Sequence, residues 1–563
     1  MSSNSSAAIS AVTSAIVESP DGGIIPASVV ETPSEMLAAT DLGQADQTVV
    51  LEYSKTATLE EPVGTLKARA VRSSLFTLGG FGTTQIIRFG RTLFLTKLLS
   101  PDVFGLTAIV QLVGGLFQQL SDIGLGPAII QNRRGDDKDF LDTAWTLSII
   151  RGLILFVCTS IAAWPVAKFY QQHGQPLILF PLLLVAGFSP LLNGFNSTAT
   201  FSLNRHLRLG RLTLLSTSTE ILQTVLIIFL AWRYHNAWAI IIGGLICSFA
   251  YMIASHLLIP SYKNRLAWDR SATRELFRLG KWIVLSTALT FFANESDRIM
   301  LGKLANWPGG ILATGIGAMA VLGFYSMAAA LVRMPQEIIS RLAGSTLFPA
   351  FARTAPGPRD EFAAMVRKAR SVILPLGITA VAGLALGAPL FVSVFYNVRY
   401  LPVGWMAQLM AIGLWITILQ SSADRALLAM GDAHVLAAMN LANMVVTVIG
   451  ALGGFYIGVH THSTFGGTYG IQGLILGVAA GNLGGHMVIQ AALAKRHIWI
   501  YWQDLGYTLL ALGVTFVGLI VPKLIVPKEH PLHPKRLDFV WGVAVIGVVG
   551  TWAALRAWKW VRK

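Results

Sequence analysis

Residues 281–303 of this 563-residue chain, KWIVLSTALTFFANESDRIMLGK, decide the fold. The stretch has the length and the apolar flanks of a membrane-spanning helix. Its middle contains Asn294, Glu295, Asp297 and Arg298. Ionisable groups in hydrocarbon cost roughly 2.5–3.5 kcal/mol each, so they usually face a partner or a water-filled cavity. The first, third and fourth of these residues fall at i, i+3 and i+4, which predicts that they share one helix face.

Two interpretations of these charges stand. Glu295 and Arg298 can form an internal pair that only tolerates burial. The stretch also follows the longest basic connector and opens the second of two similar halves of the chain, which favours a functional role.

The composition predicts a polytopic all-α membrane protein. The chain is 54% hydrophobic and only 13% charged, with a mean hydropathy of +0.60, whereas soluble proteins have roughly 25% charged residues. The net charge of +15 does not indicate nucleic acid, because the basic residues lie in short loops between apolar runs. The two cysteines lie inside apolar runs, so neither a disulfide framework nor a metal site is expected.

Apolar runs of about 20 residues predict about fourteen transmembrane helices. We expect two six-helix lobes related by pseudo-two-fold symmetry, followed by two C-terminal helices. Most Lys and Arg residues lie on the side of the N-terminus, so both termini are expected in the cytoplasm. The predicted parts are a disordered acidic tail (1–66), an N-lobe with spans 1–6 (67–260), a C-lobe with spans 7–12 (261–500), and spans 13–14 with a basic C-terminus (501–563).

The connector before span 7 is amphipathic. Residues 260–281 are predicted to form a helix in the membrane interface, with Leu266, Trp268, Leu276 and Phe277 as apolar anchors.

A weak internal repeat supports the two lobes. Arg91 opens RTLFLTKLLSPDVFG in span 1, and Arg298 opens RIMLGKL in span 7. An even offset of six spans preserves orientation, so the repeat axis would lie along the membrane normal.

The polar residues inside the spans are the candidates for function. Span 1 places Gln85, Arg88 and Arg91 at i, i+3 and i+6, and span 3 contains Arg151. No acid in span 1 neutralises the two arginines, so a neighbouring helix or a bound anion must do so, and the guanidinium fork suits phosphate. The predicted substrate-binding set is Arg88, Arg91, Arg298, Gln85, Asn294 and Arg151.

Acids inside the first seven spans are the candidates for ion coupling, because a lone buried carboxylate titrates readily. They are Asp122, Glu220, Glu295 and Asp297. Span 8 places Arg333, Glu337 and Arg341 at i, i+4 and i+8, and the simplest interpretation is a self-neutralised ladder. The sequence contains no Walker motif, no HExxH and no dinucleotide loop, so we expect no ATP hydrolysis, no cofactor and no enzymatic activity.

Three segments resemble the oligosaccharide flippase (polysaccharide transporter) family of the multidrug/oligosaccharidyl-lipid/polysaccharide exporter superfamily. They are RTLFLTKLLSPDVFGLTAIVQLVGGLFQQLSDIGLGPAIIQ (91–131), NESDRIMLGK (294–303) and LGFYSMAAALVRMPQEIISRLAGSTLFPAF (322–351). The resemblance implies a two-lobed, V-shaped transporter with a central cavity flanked by spans 1 and 7. It would move polyprenyl-diphosphate-linked oligosaccharides across the bacterial inner membrane for exopolysaccharide or lipopolysaccharide synthesis. Membrane lipid and the polymerase and export machinery would be its partners.

Other functions remain open at this stage. An ion-coupled exporter of cationic drugs would share the fold but should line its site with unpaired carboxylates. Fourteen spans also occur in related lipid II flippases. A membrane-bound polymerase or ligase would need a sizeable external loop, and none of the predicted loops is long enough.

Overall fold

The computed structural model describes residues 17–18, 24–25, 63–121, 125–126, 129, 134–171, 177–206, 209–257, 263–304, 317–461, 468–525, 547–553 and 555–556. Residues 73–563 form one compact unit and residues 1–72 another. In the latter, strand β1 (Val17–Glu18) pairs antiparallel with β2 (Ile24–Ile25), and the first helix begins. The rest of the predicted acidic tail lies outside the described residues, so its disorder stays a prediction.

The described chain is helical almost throughout. The helices are α1 Val63–Leu98, α2 Pro101–Leu120, α3 Lys138–Tyr170, α4 Leu179–Ala186, α5 Phe188–Gly194, α6 Ala199–Arg205, α7 Leu209–Tyr234 and α8 Trp238–Leu257. They continue with α9 Arg270–Leu304, α10 Ala318–Leu342, a π-helical turn Ala343–Leu347, α11 Phe348–Thr354, α12 Arg359–Phe395, a 3-10 turn Val398–Tyr400, α13 Pro402–Ala429, α14 Ala433–Thr461, α15 Thr468–Ala494 and α16 Tyr501–Ile525.

This architecture confirms the predicted all-α membrane fold. Each of the first thirteen predicted spans coincides with a helix, except that the fourth coincides with the succession α4–α6, which bends by 59°. Within the described residues, 10 helices are long and apolar enough to cross a membrane, or 11 if the bent succession is one span. The count of fourteen is therefore not confirmed. Helices α1 and α9 are long enough but fall outside this set, and both contain the charged candidates.

We call α1–α8 the N-terminal lobe and α9–α15 the C-terminal lobe. The lobes meet where α2 crosses α10, and glycines permit the approach. A Cβ added to Gly105 would collide with the carbonyl group of Met319, and one added to Gly323 would collide with that of Pro101. Nearby, the Tyr400 hydroxyl donates to the Leu99 carbonyl at 2.8 Å. This junction closes the space between the lobes at the end where α2 begins.

Helix α16 is anchored to the C-terminal lobe by a buried ion pair. The Arg370 side chain in α12 is fully buried and contacts the Asp504 carboxylate of α16. Arg370 also donates to the Ser422 hydroxyl at 2.7 Å and to the Leu419 carbonyl at 3.0 Å. Arg370 therefore lies in the packed interior, with partners on α13 and α16.

The connector between the lobes differs from its prediction. Residues 263–269 are not helical, and α9 begins only at Arg270, so the described part of the connector, 263–281, contains no separate interfacial helix. The reason is that polar side chains of α3 satisfy the connector backbone. The N–H groups of Arg265, Ala267 and Asp269 donate at 3.1 Å to Asp142 Oδ1, Thr146 Oγ1 and Thr143 Oγ1, respectively.

Candidate functional site

The stretch from Asn294 to Arg298 lines a cavity of about 390 Å³ in the C-terminal lobe. Residues of α9, α10, α13, α14 and α15 form its walls, and Gln119 at the end of α2 completes them. Asn294, Glu295, Asp297 and Arg298 all face it. The polar face predicted from the spacing in this helix therefore opens onto a cavity.

Glu295 lies between two arginines. Its Oε2 accepts from Arg298 Nη1 at 2.7 Å, and its Oε1 accepts from Arg333 Nη2 at 2.5 Å. The pair with Arg298 was anticipated from the sequence, but the second arm comes from α10. We call Arg298, Glu295 and Arg333 the C-triad. Glu295 is 14% exposed, whereas Arg333 is 42% exposed.

Asp297 is bound separately from the C-triad. The Tyr325 hydroxyl of α10 donates to Asp297 Oδ2 at 2.5 Å, and the backbone N–H of Arg298 donates to Oδ1 at 2.8 Å. Tyr325 is buried. The contact therefore joins α9 to α10 within the cavity wall.

A second triad lies in the N-terminal lobe. Arg88 donates through Nε and Nη2 to Glu220 Oε2 at 2.9 Å, and Arg91 Nη1 donates to Oε1 at 3.0 Å. Glu220 belongs to α7 and is 6% exposed. We call Arg88, Glu220 and Arg91 the N-triad. The acid that span 1 lacks is thus supplied by a neighbouring helix.

Helices α1 and α10 approach each other in antiparallel register beside the triads. Gln85 Nε2 donates to Glu337 Oε2 at 3.1 Å, and the Arg341 guanidinium lies 3.7 Å from the centroid of the Phe81 ring. One further turn along each helix leads to Arg88 on α1 and to Arg333 on α10. The register therefore places one arginine of each triad at the same level.

The self-neutralised ladder in span 8 is not observed. Arg333 pairs with α9, whereas Glu337 and Arg341 both contact α1. The three side chains connect helices rather than neutralising one another.

The acids predicted for ion coupling were chosen as lone buried carboxylates, and the structure gives partners to three of them. Glu220 and Glu295 each bind two arginines, and Asp297 binds Tyr325, so none of these three is a lone carboxylate. Asp122 lies outside the described residues. The coupling role of all four residues stays a prediction.

Arg151, the remaining candidate, belongs to neither triad. Its Nε donates to Ser121 Oγ at 3.0 Å and its Nη2 to the Gln118 carbonyl at 3.2 Å. Arg151 lines a separate polar cavity of about 540 Å³ in the N-terminal lobe. The predicted substrate-binding residues are therefore divided between two cavities, the N-triad and, for Gln85, the contact with Glu337 of α10.

Sequence reasoning missed Tyr325 and the partners of two residues that it had named. It noted Arg333 and Glu220 as polar residues but paired neither with the charges of spans 1 and 7, and it did not consider Tyr325. The pairing of Arg88 with Glu220 joins residues 132 positions apart, and no local spacing reveals it.

The fold is that of known multi-span transporters. The lipid II flippase MurJ in an inward closed conformation superposes with a TM-score of 0.62 at 12% identity, over 85% of this chain and 98% of that one. An inward-facing multidrug resistance MATE transporter of the MOP superfamily gives 0.55 at 16% identity, over 74% and 95%.

Sequence comparison gives the family. Teichuronic acid biosynthesis protein TuaB of Bacillus subtilis is 24% identical over 56% of this chain and 62% of its own length. A membrane protein in the cps region of Klebsiella pneumoniae is 24% identical over 62% of this chain and 68% of its own length. The profile of the polysaccharide biosynthesis protein family matches residues 94–404. This chain belongs to the polysaccharide biosynthesis protein family.

Proposed function

We propose that this protein is a flippase for polyprenyl-diphosphate-linked oligosaccharide repeat units. It would move them across the bacterial inner membrane by alternating access, from the cytoplasm, for exopolysaccharide or lipopolysaccharide synthesis. The observation that carries the proposal is the pair of arginine–glutamate–arginine triads, one in each lobe, with Arg88 and Arg333 at the same level.

The exposure of the arginines supports an aqueous space between the lobes. Arg88 is 58% and Arg333 42% exposed, although both lie within long helices of the transmembrane region. A guanidinium facing lipid would cost roughly 2.5–3.5 kcal/mol. These groups are therefore better explained by a wet cavity than by a lipid-facing surface.

The charge of each triad suits a diphosphate. Each has two guanidinium groups and one carboxylate, so one positive charge is left without a partner inside the triad. Guanidinium binds phosphate oxygens in a bidentate fork, and each charge-assisted hydrogen bond contributes roughly 1.5–3 kcal/mol. The glutamates hold the arginines in place when no substrate is bound, and the diphosphate would compete with them.

The lobe contacts support alternating access. Backbone contact between α2 and α10 closes one end of the interlobe space, whereas the described contacts of α1 with α10 near Gln85 run through side chains only. Opening the closed end requires α10 to move away from α2. Pro335 inside α10 and the π-helical turn Ala343–Leu347 directly after it are suitable points for bending.

A cationic-drug exporter is the second candidate, because Glu295, Asp297 and Glu337 line the C-terminal cavity. Two of these acids have described partners on other helices, and the third binds two arginines. We therefore assign Glu295 to positioning its two arginines. Ion coupling is the role that we propose for the acids of this cavity, and Asp297 is the first residue to test for it.

Complementation tests the proposal. In a strain lacking the gene, polymer export should fail and lipid-linked oligosaccharide should accumulate. Arg88→Ala, Arg91→Ala, Arg298→Ala and Arg333→Ala should restore export poorly, and Lys should replace these arginines poorly because it lacks the planar fork. Arg359→Ala, exposed at the start of α12, is the matched control.

Membrane abundance must be measured for every variant. If all four alanine variants insert normally and export at the wild-type rate, the triads do not bind the substrate. If they fail only because they do not accumulate, the arginines are structural.

A further inference from the structure

The 540 Å³ cavity of the N-terminal lobe has no role in the triad mechanism, and no triad residue is among those that line it. It lies between the end of α2 and helices α3, α5, α6 and α8. Its volume is within the range of roughly 300–1,000 Å³ that is typical of ligand sites. A cavity of this size needs an occupant or a water cluster.

Apart from Arg151, the lining is uncharged and rich in hydrogen-bonding groups. Amide and hydroxyl side chains dominate it, with Arg151 as the one charged residue among the described residues that form its wall. The polar members are Gln118, Ser148, Asn193, Asn196, Ser197 and Thr200. Amides and hydroxyls both donate and accept hydrogen bonds, as the hydroxyl groups of a sugar do. Phe201 and Tyr251 add aromatic faces to the same wall.

Asn196 retains hydrogen-bonding capacity, and its side-chain contact is with the neighbouring Asn193. Asn196 Oδ1 is buried and has no hydrogen-bond partner among the described residues, and Asn196 Nδ2 makes only a long contact of 3.4 Å to Asn193 Oδ1. The hydroxyls of Ser148 and Ser197, in contrast, donate within the protein at 3.0 and 2.8 Å. A buried acceptor without a donor is unfavourable, so Asn196 indicates a ligand that donates hydrogen bonds.

The cavity adjoins the charged one across the last turn of α2. Gln118 lines the N-terminal cavity and Gln119 lines the C-terminal cavity. Arg151 holds the Gln118 carbonyl from one side, and Thr287 of α9 donates to the Gln119 carbonyl at 2.9 Å from the other. A ligand with an anionic end and a neutral polar end would match this division.

We infer that the N-terminal cavity is a carbohydrate subsite, which takes the sugar residues next to the diphosphate while the arginines bind the diphosphate itself. Asn193 and Asn196 bind sugar hydroxyls, and Tyr251 and Phe201 pack against the ring. This inference rests on the proposed function, because it assigns the neutral part of the same substrate.

The test compares two lipids on the purified full-length protein. One is the lipid-linked oligosaccharide extracted from the deletion strain, and the other is undecaprenyl diphosphate, which has no sugar. Asn193→Ala and Asn196→Ala should each weaken binding of the first lipid by about tenfold, the loss expected for one good hydrogen bond. Neither should change binding of the second. Asn236→Ala, in the exposed loop between α7 and α8, is the matched control.

The sugar-free lipid also reports folding, because a variant that binds it normally is intact. If both asparagine variants bind both lipids like the wild type, the cavity holds only water and the subsite is wrong. If Arg88→Ala and Arg333→Ala also leave both affinities unchanged, or if no lipid-linked oligosaccharide accumulates in the deletion strain, the proposed function itself fails.

Discussion

Replacing Glu220 by Gln tests the N-triad most directly. Glu220 is 6% exposed and binds Arg91, which is 17% exposed, and Arg88, which is 58% exposed. Removing one member of a buried ion pair costs about 3–5 kcal/mol, because the other charge is left uncompensated. An exposed pair contributes only about 0–1 kcal/mol. Glu220→Gln should therefore lower the free energy of unfolding by about 3 kcal/mol or more, mainly through Arg91.

A double variant separates the charge effect from general damage. Arg91→Gln with Glu220→Gln leaves no buried charge unpaired in the triad, so it should be more stable than the sum of the two single losses predicts, by at least about 1 kcal/mol. The free energies are measured by denaturant titration in detergent micelles. Glu361→Gln, exposed in the first turn of α12, is the control for removing a carboxylate.

The same variant makes a functional prediction. Without the Glu220 carboxylate, the two arginines are free to bind an anion, so excess undecaprenyl diphosphate should raise the melting temperature of Glu220→Gln more than that of the wild type. Equal stability of the variant and the wild type would refute the structural argument. Equal stabilisation of both by the lipid would refute competition between glutamate and diphosphate.

Three further changes probe other parts of the molecule. Gly323→Leu should separate α10 from α2 and lower the melting temperature, and a variant as stable as the wild type would contradict the close approach. Arg370→Met should cost about 3–5 kcal/mol of unfolding free energy, because the buried Asp504 carboxylate loses its guanidinium partner; an unchanged stability would count against the ion pair. The predicted orientation places Ser34, in the N-terminal tail, in the cytoplasm and Ser463, in the segment between α14 and α15, outside it. In intact cells, impermeant maleimide should therefore label Ser463→Cys but not Ser34→Cys, and the opposite pattern would overturn the predicted orientation.

Local patterns in the sequence predicted the fold class and most of the helices. Runs of about 20 apolar residues located the membrane segments, because a bilayer imposes that length on each one. The spacing of Asn294, Asp297 and Arg298 located the polar face of α9, because a helix brings i, i+3 and i+4 together. The same reasoning did not predict the non-helical connector at 263–269, because its backbone N–H groups donate to side chains of α3, which is distant in sequence.

The partners of the buried charges were beyond local reasoning. The lack of an acid in span 1 predicted that something must compensate Arg88 and Arg91, but only the packing of α7 against α1 identifies Glu220. Arg370 and Asp504 each stand near the start of an apolar run, where a snorkelling charge is the ordinary expectation. Long-range helix packing decides such pairs, and the two cavities arise from it in the same way.

The arrangement of charges in the triads would affect both the binding and the release of a diphosphate substrate. In each triad the glutamate holds its arginines while the site is empty, so the binding energy of the diphosphate is reduced by the pairs that it must replace. That reduction favours release, which a flippase needs as much as capture, because a site that binds too tightly cannot turn over. The Arg88–Glu220 pair shares its level with Arg333, so a diphosphate bridging the two lobes would engage both triads at once. Separation of the lobes would leave the diphosphate bound to one triad, and the affinity of the protein for it would fall.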